Sequence, residues 1–365
     1  MQIIFANTKN ISCALVLLVT LSEPANGSTA SFKLDAPRAA GAQSPAATRT
    51  TPIFIFHADE FWLNLHHFLY VLGRSANKTR DSSREAVVHA PADQDQGLAG
   101  LKPKQKQIWR EAVAAYAAGP SQKDLIFDDP LAEITSALAR AGDEKSLVNT
   151  GVDARIAQVL TQAAPIYRKV WWTKHRAANR AWKAAMQELV KQHGPKVLDF
   201  ITNAYRLEWP VAGYDVHVSA YSNWAGAYST KGNLLVASSL DAGVQGAYGL
   251  ETIFHEGTHQ WDTQVLQALR EQARKLNVPV PANLSHGLIF FTAGEAVRHI
   301  FPDHVPYAYK FGVWERGLSN VREALEQSWK PYLEGHGTRD EAFAELIKRL
   351  GRAKPESKNQ GTRRE

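Results

Sequence analysis

The chain has 365 residues, 44% of them hydrophobic and 21% charged, which is enough apolar material for one large domain or two modest ones and excludes a fibrous or low-complexity protein. Half of its net charge of +6 lies at the C-terminus, where Arg352 to Glu365 carries five basic and two acidic residues. No basic stripe with interleaved aromatics remains, which argues against nucleic acid as a partner.

The first 27 residues read as a secretory signal. Lys9 precedes an apolar run from Ile11 to Leu21, and Ala25-Asn26-Gly27 supplies small residues for cleavage. Eleven residues are too few to span a bilayer, which needs about 20, so no stable membrane span is expected. Cys13 is the single cysteine and lies inside that run, so the mature chain would hold no disulfide and no thiolate. A secreted or periplasmic location follows as the expectation. Residues 28–52, rich in Ala, Pro, Ser, Thr and Gly, read as a disordered linker.

Order is expected from Ile53. Phe61, Leu65, Phe68, Leu69 and Leu72 recur at helical spacing, and similar patterns cover 104–118, 129–141, 152–164 and a long run from Ala164 to Ala204. Residues 53–209 are therefore a helical N-terminal region. His66 and His67 are adjacent on the first of these helices and cannot both face one site. Trp171-Trp172 reads as core or cleft wall.

The pattern changes after Pro210. Val216-His217-Val218 alternates, and Ala227-Tyr228-Ser229, a Lys231-Gly232-Asn233 turn and Leu234-Leu235-Val236 read as a short β-hairpin. A helix from Leu250 to Leu269 and further helices follow, giving an α+β layout with a small sheet. Residues 352–365 read as a disordered basic tail.

The helix after the hairpin holds His255-Glu256-Gly257-Thr258-His259, an H-E-x-x-H sequence. Residues four apart share a helix face, so both imidazoles can reach one zinc ion. Glu256, one residue on, sits beside that stripe, where it can take a proton from a metal-bound water. Gly257 costs about 1 kcal/mol against Ala in mid-helix, so a packing reason is expected.

A catalytic zinc needs a third protein ligand. Asp262 and Val265 occupy the positions where a longer H-E-x-x-H-x-x-G-x-x-H motif would continue, so that motif is absent. Glu295 is the favoured third ligand, being the one charged residue in Leu288 to Val297; His286 and His304 are rivals, and pairing of Glu295 with Arg298 is the alternative. Asp262 is a candidate to orient His259. His286, His304, Tyr307 and Tyr309 flank the Glu295 helix as candidate donors to a developing oxyanion, with Tyr309 and His286 preferred.

On His255, Glu256, His259 and Glu295, the stretch from about 215 to 310 resembles the gluzincin, thermolysin-like branch of zinc metallopeptidases. The resemblance implies a zincin-like catalytic region over 210–351, one zinc per chain, Glu256 as base and Glu295 as third ligand. Many gluzincins place an Asp four residues after the ligand Glu; this chain has His299 there. A peptide or protein substrate is the first expectation. A non-peptide amide of the cell envelope, or a non-catalytic binding role on the same fold, are the alternatives, and the intact Glu256 speaks against the last.

Overall fold

The computed structural model describes residues 51–77, 90–210, 212–230, 234–316 and 318–352. The signal, most of the linker, the 231–233 turn and the basic tail beyond Arg352 lie outside the described residues. Strand β1 (Phe54–His57) opens the fold. Helices α1 (Phe61–Ala76), α2 (Ala90–Leu98), α3 (Pro103–Ala118), α4 (Asp129–Ala141), α5 (Ala154–Tyr167) and α6 (Thr173–Tyr205) follow. Next come β2 (Tyr214–Ser219), β3 (Ala227–Thr230) and β4 (Leu234–Ser238), then α7 (Gly246–Thr258), α8 (Asp262–Leu276) and α9 (Leu284–Ile300). Helices α10 (Tyr307–Lys310), α11 (Ser319–Ala324), α12 (Lys330–Leu333) and α13 (Arg339–Arg352) close the described chain. The layout is α+β, as expected.

The strands form one sheet in the order β1-β2-β4-β3. β1 runs parallel to β2 and β2 parallel to β4, while β3 returns antiparallel at the edge, with Tyr228 opposite Val236. Both faces are covered. Val216, Val218, Leu235 and Ala237 join a core with α6 through α9, while Tyr228, Leu234 and Val236 join a second core with α1, α3, α4 and α5. Alternate side chains of a strand point to opposite faces, so a four-stranded sheet can serve two helical layers at once.

The N-terminal helices lie close to their expected spans. Asp128 accepts the Leu131 N–H and Asp153 accepts those of Arg155 and Ile156, caps that fix where α4 and α5 begin. The long run from Ala164 to Ala204 takes in the end of α5, a π-type turn at Arg168–Trp172 and most of α6, with Pro165 just before the turn removing one donor. The stretch read as purely helical also contains β1. Its Phe54 and Phe56 are buried in the sheet's C-terminal core, a pattern too short to separate from a helix by periodicity.

Trp171 is buried and stacked on Trp109 at 4.5 Å, so the Trp pair is core. His66 and His67 are also wholly buried, bonded to Tyr116 and Tyr228 respectively. Among the described residues, no helix is long and apolar enough to cross a membrane.

Candidate metal centre

Helix α7 packs against β3 and β4, with Ile253 and Phe254 in the C-terminal core. Gly257 occurs where Trp209 crosses. A Cβ there would stand 2.5 Å from the Trp209 Cη2 and 3.4 Å from Phe54 Cε1, so the helix can approach the sheet's aromatic layer only without a side chain. That is the packing reason its position demanded. The expected single helix to Leu269 breaks at His259–Trp261, which forms a 3-10 turn before α8. The Gln260 side chain donates to the Gly257 carbonyl at 2.7 Å, an acceptor that a continuing α-helix would bond from Trp261.

His255 and His259 face His286, which lies in the first turn of α9. One nitrogen from each of the three lies within 4.8 Å of the others. The ring centroids stand 5.0 Å (255–259), 5.4 Å (255–286) and 5.2 Å (259–286) apart. With metal–nitrogen bonds of about 2.0–2.1 Å and tetrahedral angles, three imidazoles around one ion would place their centroids roughly 5.2 Å apart. The triangle therefore has the size of a tetrahedral ion's base. Phe290 closes its floor, with its ring 4.0 Å from His255 and 4.7 Å from His286.

The protonation of the three rings also suits a cation. Burial, with His259 and His286 beside it, holds His255 well below its ordinary pKa. Burial and His259 push His286 down to about 3. Burial pulls His259 down as well, but the Asp262 carboxylate more than offsets this and leaves it raised. Neutral imidazoles ligate and protonated ones do not, so the lowered pKa values of His255 and His286 favour the form that could ligate. The Nδ1 of His255 is buried with no hydrogen-bond partner, a polar atom left to find one elsewhere. The donor set fits a metal ion.

Two carboxylates complete the surroundings. Asp262 Oδ2 lies 3.0 Å from His259 Nδ1, which fixes that ring's orientation and directs its other nitrogen to the triangle. Glu256 has an oxygen 4.0 Å from His255 Nε2 and accepts a hydrogen bond from the Ser229 hydroxyl at 2.8 Å. Ser229 belongs to β3, so the edge strand itself orients this carboxylate. Burial raises the Glu256 pKa, against the opposing pull of His259 and Ser229.

The structure groups His286, and not the expected Glu295, with the two motif histidines. Glu295 is on α9, but it is ion-paired with Arg298 one turn on and does not join the triad; His286, nine residues earlier on the same helix, does. Its burial in an apolar run is explained by this local pair. His286, expected as an oxyanion donor and as a rival ligand, joins the group that could hold a metal ion. Tyr309 donates its hydroxyl to Glu326 at 2.6 Å and does not join the triad. His304 is bonded to Glu251 at 2.6 Å. Ser229, Phe290 and Glu251 were not singled out from the sequence. Of these, Glu251 carried a usable signal, since it lies exactly one helical turn before His255. Compared with known protein families, with curated proteins and with solved structures, the chain gives no match.

Proposed function

We propose that the chain is a zinc-dependent hydrolase, acting on peptide bonds, with His255, His259 and His286 as the ion's protein ligands and Glu256 as general base. The observation that carries the reading is the tetrahedral-sized triangle of three histidines with an oriented carboxylate beside it. A zinc ion with three protein ligands keeps a fourth position for water and lowers that water's pKa to about 7.

In this reading Glu256 would take the proton of the water that such an ion supplies. One of its oxygens is held by Ser229, which leaves the other nearer His255. Its raised pKa brings it closer to neutrality, where a general base is most effective. Asp262 keeps His259 in the tautomer that ligates. Phe290 and the buried side of α7 limit water access behind the triangle.

Peptide as substrate is supported by β3. It is an edge strand, antiparallel to its neighbour, and the residue that orients the base lies on it. An extended chain added along such an edge would lie beside the catalytic carboxylate. The same placement of an antiparallel edge strand against the motif helix favours a zincin-like architecture, and a third imidazole in place of a glutamate sets the ligand pattern apart from the gluzincin one.

Elemental analysis of purified protein, with turnover of a mixed peptide library for wild type and Glu256→Gln, tests the reading. About one zinc per chain is expected in both, with turnover falling by roughly 10²–10⁴-fold in the variant. Full turnover in Glu256→Gln, or a wild type without metal, would overturn it.

A further inference from the structure

We infer that Glu251 is a positioning residue for the metal centre: it clamps α7 to α9 through the 301–306 connection and so sets the gap between His286 and the His255–His259 pair. The inference rests on the reading of the triad as a metal site.

Glu251 is on α7, one turn before His255, and is only 1% exposed. Its two oxygens both accept the backbone N–H of Tyr307, at 2.9 Å each, and one of them bonds His304 Nε2 at 2.6 Å. A carboxylate so deeply buried is costly unless fully bonded, and here the bonds all go to one connecting segment. Tyr248, on α7 a turn earlier, packs its ring 4.8 Å from that of His304. The connection between α9 and α10 is therefore tied to the metal helix at a single buried point.

Helix α9 meets the same point. A Cβ on Gly294 would stand 2.5 Å from Pro306 Cβ and 3.1 Å from Glu251 Oε1. The absence of a side chain at 294 thus lets α9, Glu251 and Pro306 close on one another. From this layer the two helices run in opposite directions in matched steps of four. Glu251 lies level with Gly294, His255 with Phe290, and His259 with His286. The first layer holds no ligand, yet it is the pivot about which the ligand layer is set.

Leverage makes this consequential. Eight residues of helix separate the first layer from the last, about 12 Å along the axis. A tilt of about 5° between α7 and α9 at the clamp would displace His286 by roughly 1 Å, against a tolerance of about 0.2 Å in metal–ligand distance. The Glu251 carboxyl is itself raised by burial, with His304 and the Tyr307 N–H opposing that rise and Glu295 adding to it.

The test uses Glu251→Gln, which keeps the shape, and Gly294→Ala, which adds one methyl and favours helix. Zinc dissociation constants are measured by competition with a chromophoric chelator, and amide hydrogen exchange is followed on the metal-free proteins. Both variants should bind zinc at least about tenfold more weakly, the range seen when an outer-sphere partner is lost. Exchange should rise about tenfold or more over residues 284–291 and 301–310 and stay unchanged over 61–76. Zinc affinity within about threefold of wild type in both variants would overturn the inference. So would a uniform rise in exchange across the chain, which is the mark of a merely structural role. If wild type itself binds no zinc, the metal reading falls, and exchange alone decides the clamp: a rise confined to 284–291 and 301–310 upholds it, and no rise there overturns it. Should Glu251→Gln fail to fold, Gly294→Ala carries the same comparison.

Discussion

Exchanging the two candidates for the third ligand separates the geometry from the family pattern. His286→Ala removes one corner of the triangle, whereas Glu295→Ala removes a carboxylate that the structure pairs with Arg298. Structural zinc sites bind with about 10–16 kcal/mol over four ligands, or roughly 3 kcal/mol apiece, which is about 100-fold in Kd. His286→Ala should therefore weaken zinc binding by about 100-fold or more. Glu295→Ala should change it by less than about threefold, and should cost about 1 kcal/mol or less in stability, because its partner is partly exposed on the same helix. Chelator competition on the two purified variants reads both effects. The reverse ranking, with metal lost on removing Glu295 and kept on removing His286, would refute the three-histidine site.

Two further variants probe the packing behind it. Gly257→Ala should destabilise the metal-free protein by about 1–3 kcal/mol in denaturant unfolding, despite its better helix propensity, because the added Cβ meets Trp209 at 2.5 Å; a more stable variant would show that the helix has room. His66 is wholly buried and burial holds its pKa down at about 3. Its folded value lies below the unfolded value of about 6.5, so the unfolded chain binds the proton first and stability falls as pH drops through that window. From pH 7 to pH 5, wild type should lose about 2 kcal/mol more than His66→Asn, read from unfolding at both pH values. Equal losses would mean that His66 is charged in the native state.

The parts of the site legible in the sequence are those made by neighbours along the chain. His255, Glu256 and His259 are brought together by one helical turn, and Asp262 reaches His259 from three residues away. The cost of a mid-helix glycine announced close packing at Gly257 before Trp209 could be named. The β3–β4 pair was visible from alternation around a turn. The third member of the group was visible only as a rival candidate. Glu295 drew notice as a charge in an apolar run, but the relief of that charge is also local, three residues on at Arg298. His286 has no local peculiarity. It reaches the His255–His259 pair because α9 packs antiparallel to α7, with Gly294 against Glu251 and Phe290 against His255, contacts between segments distant in sequence. β1 escaped for a related reason, since four residues acquire meaning only when β2 pairs with them.

A third imidazole in place of a glutamate would have a chemical consequence. Glutamate would bring a negative charge to the ion, whereas His286 is held neutral by burial. A cation held at the triangle would keep its full charge, with Asp262 behind His259 and Glu256 near His255 as the anions to balance it. Under the proposed function three neutral ligands would leave such an ion more polarising, so less basicity would be asked of Glu256. Glu256 suits that division of labour: Ser229 aims it from the edge strand, and burial, more than any neighbouring charge, sets its proton affinity. Strand, motif helix and α9 each supply one part of the site, so its geometry depends on tertiary packing as much as on the motif.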